Sequence, residues 1–158
     1  MQKITTFLWF NDNAEEAINF YVSIFRNSKI GRVSRMPAGT PGPAGKVITA
    51  SFTLEGQEFM ALNGGPQFRF TEAISLFVSC ENQAEVDELW AKLTADGGSE
   101  SQCGWLKDKF GLSWQIIPTA LGKLLGDPDP ARAQRAMQAM LKMRKIDVAG
   151  LEAAANGR

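Results

Sequence analysis

Cys103 is the side chain of this sequence best placed to act as a nucleophile. Gln102-Cys103-Gly104-Trp105 reads as a loop, and Lys107 and Lys109 follow within six residues. Nearby ammonium groups lower a thiol's pKa and raise its thiolate fraction. No conventional base accompanies it, because the chain contains no histidine. That absence removes the Ser-His-Asp triad, the Cys-His pair, the His-Glu-x-x-His zinc site and histidine proton shuttles. Cys80 is the second of two cysteines, so a four-cysteine zinc site is excluded as well. Cys80 ends an apolar stretch and reads as a small buried hydrophobe. Glu72 and Asp108 are acids or bases if a site recruits them, and solvated surface carboxylates otherwise. Asn63-Gly64-Gly65-Pro66 either offers backbone amides to an anionic group or forms a plain turn.

These residues must be positioned by a chain of 158 residues and 17.3 kDa, which is the size of one domain, 1–158. With 44% hydrophobic and 22% charged residues, a packed core rather than disorder is expected. Seventeen basic residues balance seventeen acidic ones, which argues against a nucleic-acid partner. No run of eighteen apolar residues suggests a membrane helix, and the N-terminus lacks the layout of a signal peptide. Two cysteines make no disulfide framework, so two free thiols and a cytoplasmic location are expected.

Ile4 to Phe10 reads as a buried strand. Asn11-Asp12-Asn13 supplies capping side chains for a helix whose apolar positions Ala17, Ile18, Tyr21, Val22 and Phe25 follow the three-four spacing. Strands follow over Ser28 to Met36, Lys46 to Leu54 and Glu58 to Leu62. The last two are joined by a hairpin turn at Glu55-Gly56-Gln57. Pro37 to Gly45 holds three prolines and three glycines and reads as a mobile loop, either a lid or a long connection. The pattern then restarts. Ala73 to Cys80 is a strand, and Asn82 caps a helix carrying Val86, Leu89, Trp90 and Leu93, stopping at Gly97-Gly98. Ile18, Tyr21, Val22 and Phe25 overlay these four at a constant offset of 68, which marks an internal duplication. Leu112 to Ile117 closes the second copy. Helices follow over Thr119 to Leu125, after Asp129-Pro130, and from Asp147. Ala133, Ala136, Met137, Met140 and Leu141 form a stripe for packing within the subunit or across a dimer.

Three stretches, LWFNDNAEEAINFYVSIF, FMALNGGPQFRFTEAISLFVSC and QCGWLKDKFGLSWQIIPTAL, resemble the PhnB-like branch of the vicinal oxygen chelate superfamily. This branch is often labelled 3-demethylubiquinone-9 3-methyltransferase. The resemblance spans about residues 3–155, the C-terminal helices included. It implies an α+β fold: two βαβββ modules (about 3–66 and 72–118) forming a curved, partly open sheet, with a helical extension over 119–158. It also implies a homodimer.

The metal ligands of the superfamily fall, by the resemblance, near Thr6, Ser75 and Gln115, all neutral groups that bind a divalent cation poorly. Gln67 stands where relatives often carry histidine. No metal or other cofactor is therefore expected. Strand alternation then groups Thr6, Leu8 and Phe10 on one face of the first strand, and Phe59, Ala61 and Asn63 together on the fourth. Ser75 and Phe77 share a face with Ser79, and Gln115 with Ser113 and Ile117, leaving Trp114 and Ile116 toward the helices. Such a lining suits a small amphiphilic or aromatic ligand. The methyltransferase label finds no glycine-rich turn after the first strand to hold S-adenosylmethionine. The expected function is metal-free small-molecule binding; the alternative is a superfamily enzyme with an oxygen-ligand metal site.

Overall fold

The computed structural model describes residues 2–39 and 42–158 and divides into two compact units, Met1–Arg69 and Phe70–Arg158. The first unit runs β1 (Thr6–Phe10), α1 (Ala14–Ile24), β2 (Lys29–Arg35), β3 (Val47–Leu54) and β4 (Gln57–Asn63). Its sheet has the order β1-β4-β3-β2, with β1 parallel to β4 and the other pairs antiparallel. Glu55 and Gly56, both at positive φ, form the two-residue turn between β3 and β4. The Pro37–Gly45 loop, read from sequence as a lid or a long connection, includes Thr40 and Pro41, which lie outside the described residues. The described base of that loop is closed by the Met36 amide donating to Lys46 O at 2.8 Å.

The second unit repeats the plan with β5 (Ser75–Cys80), α2 (Gln83–Thr94), β6 (Ser99–Glu100), β7 (Trp105–Lys107) and β8 (Ser113–Pro118). Its sheet order, β5-β8-β7-β6, matches the first strand for strand, with β5 parallel to β8. Both modules are therefore βαβββ, and the duplication seen in the apolar spacing is a duplication of structure. Asn82 caps α2 as expected, accepting from the Glu85 amide at 2.9 Å. The cap of α1 differs from expectation. Asn13 makes no side-chain cap bond; the Ala14 amide donates instead to Asn63 Oδ1 at 2.9 Å, while Asn63 Nδ2 donates to Val47 O.

Three helices complete this unit: α3 (Thr119–Leu125), α4 (Pro130–Met140) and α5 (Val148–Ala155). They pack around Ile117, Leu121, Ile146 and Leu151, with Met140 and Met143 against that cluster. The predicted α4 stripe divides. Ala136 and Met140 turn inward, whereas Met137 and Leu141 stay exposed. The end of α5 is held by side chains of α4: Arg135 donates to Ala154 O and Ala155 O, and Arg132 to Asn156 Oδ1 at 2.6 Å. Gln83 of α2 ties this region to the module, donating to Ile146 O and accepting from the Val148 amide. Among the described residues, no helix is long and apolar enough to cross a membrane.

Candidate functional site

In each module one face of the sheet is covered by its helix and the other is open. Register decides which residues lie where. In the second module, Trp114, Ile116 and Leu106 are buried along with Val86, Leu89, Trp90 and Leu93 of α2. Alternation puts Gln115 on the opposite, open face. Phe77 and Trp105 pair with Gln115, while Ser75 and Lys107 pair with Ser113, so these six residues form two adjacent rows there. Gln115 Nε2 donates to Ser75 Oγ at 2.9 Å. Phe77 is 59% exposed. Ser79 shares this face and is exposed, and Ile117 shares it but is covered by the C-terminal helices. Three of the expected site residues, Ser75, Phe77 and Gln115, are thus brought together.

The first module corrects the expectation for the remaining residues. Thr6, Leu8 and Phe10 do share a face, but it is the face covered by α1. Thr6 pairs with Phe59 and Phe59 with Phe52, and the Phe52 ring stacks on Tyr21 of the helix at 6.4 Å. Leu8 and Phe10 are only 4% and 2% exposed, and Asn63 is occupied in capping α1. Burial behind the helix makes Leu8 and Phe10 core rather than lining. The open face carries Phe7 and Trp9 with Met60 and Leu62, which pair with them in register. Phe7 is 48% exposed. Trp9 donates its indole N–H to Gly65 O at 2.9 Å and meets Phe68 edge-on at 4.9 Å. A Cβ on Gly64 would lie 2.3 Å from the Trp9 ring, so the Gly64-Gly65 pair serves that close approach. Trp9 and Trp105 were not singled out from sequence; the register signal that reveals them needed one fixed strand face per module.

The titratable groups resolve in a similar way. Asp108 is not a surface carboxylate: it is 2% exposed and accepts from the Phe110 and Leu112 amides and from the Trp114 indole at 2.9 Å. Glu72 pairs with Lys107, whose ammonium holds this carboxyl below its ordinary range. Lys109 lies over the Phe110 ring. Both lysines that follow Cys103 in sequence are therefore engaged elsewhere. Cys103 sits at φ 58° with its amide donating to Met143 O, and both cysteines are free thiols. Burial, followed by the charge of Glu85, pushes the Cys80 thiol up to about 12.

Metal chemistry can be weighed against these donors. Gln115 and Ser75 are neutral and bonded to each other, Glu72 is spent on Lys107, and Thr6 belongs to the covered face of the first module. Among the described residues, no three Cys, Asp or Glu side chains are grouped to hold a metal ion. The donor set does not fit a divalent cation. A separate cavity of about 330 Å³ lies at the start of α1, lined by Asp12, Glu15, Glu16, Lys46 and Asn63, among others. Two of its carboxylates are paired, Glu15 with Arg35 at 2.6 Å and Asp12 with Lys46 at 3.9 Å.

The fold and these faces can now be set beside known proteins. The family profile described as 3-demethylubiquinone-9 3-methyltransferase matches residues 2–117. The PhnB protein of Bacillus cereus, described by the same methyltransferase name, is 45% identical with a TM-score of 0.69; the alignment covers 74% of this chain and 99% of that one. A Staphylococcus aureus protein is 35% identical over 73% of this chain and 94% of its own, with a TM-score of 0.35. A Pseudomonas aeruginosa protein shares the fold at 22% identity and a TM-score of 0.61, with 75% and 98% covered. No curated protein matches the chain. The profile ends at residue 117, so helices α3 to α5 lie outside the matched region, contrary to the wider span expected from sequence. Two βαβββ modules of this order, matched over most of the chain, place the protein in the 3-demethylubiquinone-9 3-methyltransferase family, the PhnB-like branch of the vicinal oxygen chelate superfamily.

Proposed function

We propose that the chain binds a small amphiphilic or aromatic molecule without a metal ion. The observation that supports this reading is the open face of the second module. It sets an exposed aromatic, Phe77, and a second ring, Trp105, beside the neutral hydrogen-bonding pair Ser75–Gln115. Apolar area with a few neutral polar groups is the make-up of a small-molecule site. Lys107 on this face is neutralised by Glu72. Methyl transfer from S-adenosylmethionine is not part of the proposal. Both sheets are mainly antiparallel, and β1 leads through Asn11-Asp12-Asn13 into α1, not through a glycine-rich nucleotide turn. A homodimer working in the cytoplasm belongs to the same reading, supported by the family resemblance and by two free thiols.

Two measurements test it on untagged protein prepared without chelators. Elemental mass spectrometry should find no stoichiometric zinc, manganese, iron or nickel even after each is offered. About one equivalent per subunit overturns the metal-free reading. Titration with 1-naphthol, followed by tryptophan fluorescence, should saturate, and Phe77→Ala should weaken it. A linear, non-saturating response overturns the binding reading.

A further inference from the structure

We propose that the open face of the second module recognises flat aromatic lactams and imides, rings that carry an N–H beside a C=O. This rests on the reading above that the same face binds an aromatic molecule, and it names the ligand class. Phe77, Gln115 and Trp105 form one row across β5, β8 and β7. Neighbouring strands lie about 4.8 Å apart, so Phe77 and Trp105 are rooted about 9.6 Å from each other. A flat ring held between two aromatic side chains needs about 7 Å, at about 3.5 Å per contact. The spacing therefore admits one ring, with the Gln115 amide as the floor between its walls.

That amide is partly committed. One N–H of Gln115 goes to Ser75 Oγ at 2.9 Å, and no other hydrogen bond of its side chain is formed among the described residues. An acceptor, Oε1, and the second N–H remain. A primary amide with both free is complementary to a lactam edge, which donates its N–H and accepts at its C=O. Ser113, in the adjoining row, is 1% exposed and closed to a ligand, so the recognising groups are those of Gln115. An imide offers a second carbonyl beside the same N–H. Charge narrows the class further: Lys107 lies in this row but is neutralised by Glu72, so the face favours a neutral ring over a carboxylate.

Phthalimide and N-methylphthalimide differ at the N–H alone and are the probes. Each is titrated into ¹⁵N-labelled protein while the Gln115 side-chain amide and the Trp105 indole are followed. Phthalimide should bind at least about tenfold more tightly and shift both resonances, because a site built to bond an N–H leaves its acceptor unpaired when a methyl replaces the proton. Gln115→Met should bind both compounds equally, and Phe77→Ala should weaken both alike. Equal affinity of the two compounds for the unaltered protein overturns this inference and leaves aromatic binding standing, with no variant needed. A preference that survives in Gln115→Met also overturns it. Failure of both compounds and of 1-naphthol to bind overturns the inference together with the function it rests on.

Discussion

Replacing Asp108 with asparagine keeps the side chain's shape and removes its charge. Asp108 Oδ1 accepts from the Phe110 and Leu112 amides at 2.8 and 3.1 Å, and Oδ2 accepts from Trp114 Nε1 at 2.9 Å. In Asp108→Asn the oxygen can keep the two amides, but the new NH₂ then faces the indole N–H, donor against donor. A hydrogen bond to a charged group contributes about 1.5–3 kcal/mol, against about 1 kcal/mol for a neutral one. Losing the indole bond and weakening two others sums to about 2.5–4 kcal/mol. For a chain of this length that corresponds to a fall in Tm of roughly 5–15 °C. Urea unfolding followed by tryptophan fluorescence gives the free energy directly. A cycle with Trp114→Phe should show a coupling of about 1.5–3 kcal/mol. A surface carboxylate would change stability by no more than about 0.5 kcal/mol. A result that small, or a coupling near zero, refutes the assignment of Asp108 as the buried anchor of the last hairpin.

The other predictions concern the joints of the fold. Asn63→Leu removes the α1 cap and the bond to Val47 O, and should cost about 1–2 kcal/mol in urea unfolding. Gln83→Leu cuts both ties to residues 146 and 148, so limited proteolysis should cleave near Val148 faster than in the unaltered protein, with the cores of both modules intact. At pH 8, Ellman's reagent should modify Cys103 alone in the native protein. Cys80, buried with its thiol pushed up to about 12, should react only after denaturation. Asp127 is held below its ordinary value of 3.8 by the Asp129 amide and Arg132. Its depressed folded pKa stabilises the native state above about pH 4 and that benefit fades as pH falls further, so Asp127→Asn should flatten the acid limb of stability.

How much was legible in the sequence depended on whether a strand's two faces differ chemically. In LSWQII two polar residues, Ser113 and Gln115, share one face and break the symmetry between faces, and alternation from Gln115 places Trp114 and Ile116 against α2 correctly. TFLWF of β1 is apolar on both sides, so its face had to be set by similarity to metal ligand positions, and it came out reversed. The duplication was readable because the two helices repeat their apolar spacing with no insertion between equivalent positions. Asp108 was misjudged because it lies between Lys107 and Lys109, a pattern that usually marks a solvated loop. Its partners are backbone amides and an indole, which no charge pattern reveals. The α1 cap was hidden for a different reason: Asn63 is 49 residues away from the amide it caps.

The strand order of each module also fixes when it can close. β1 has one neighbour, and that neighbour is the module's last strand. During synthesis TFLWF is therefore left without a strand partner until the ribosome has delivered residue 63, and β5 waits likewise for residue 118. Each module becomes a closed sheet in a single late step that joins its two ends, a high-separation contact of the kind that slows folding. A chain stalled between residues 10 and 57 exposes an aromatic strand with no strand to pair with, and there chaperone capture or aggregation should concentrate. Because β4 ends at residue 63 and β5 starts at residue 75, every strand of the first sheet has been synthesised before the first strand of the second.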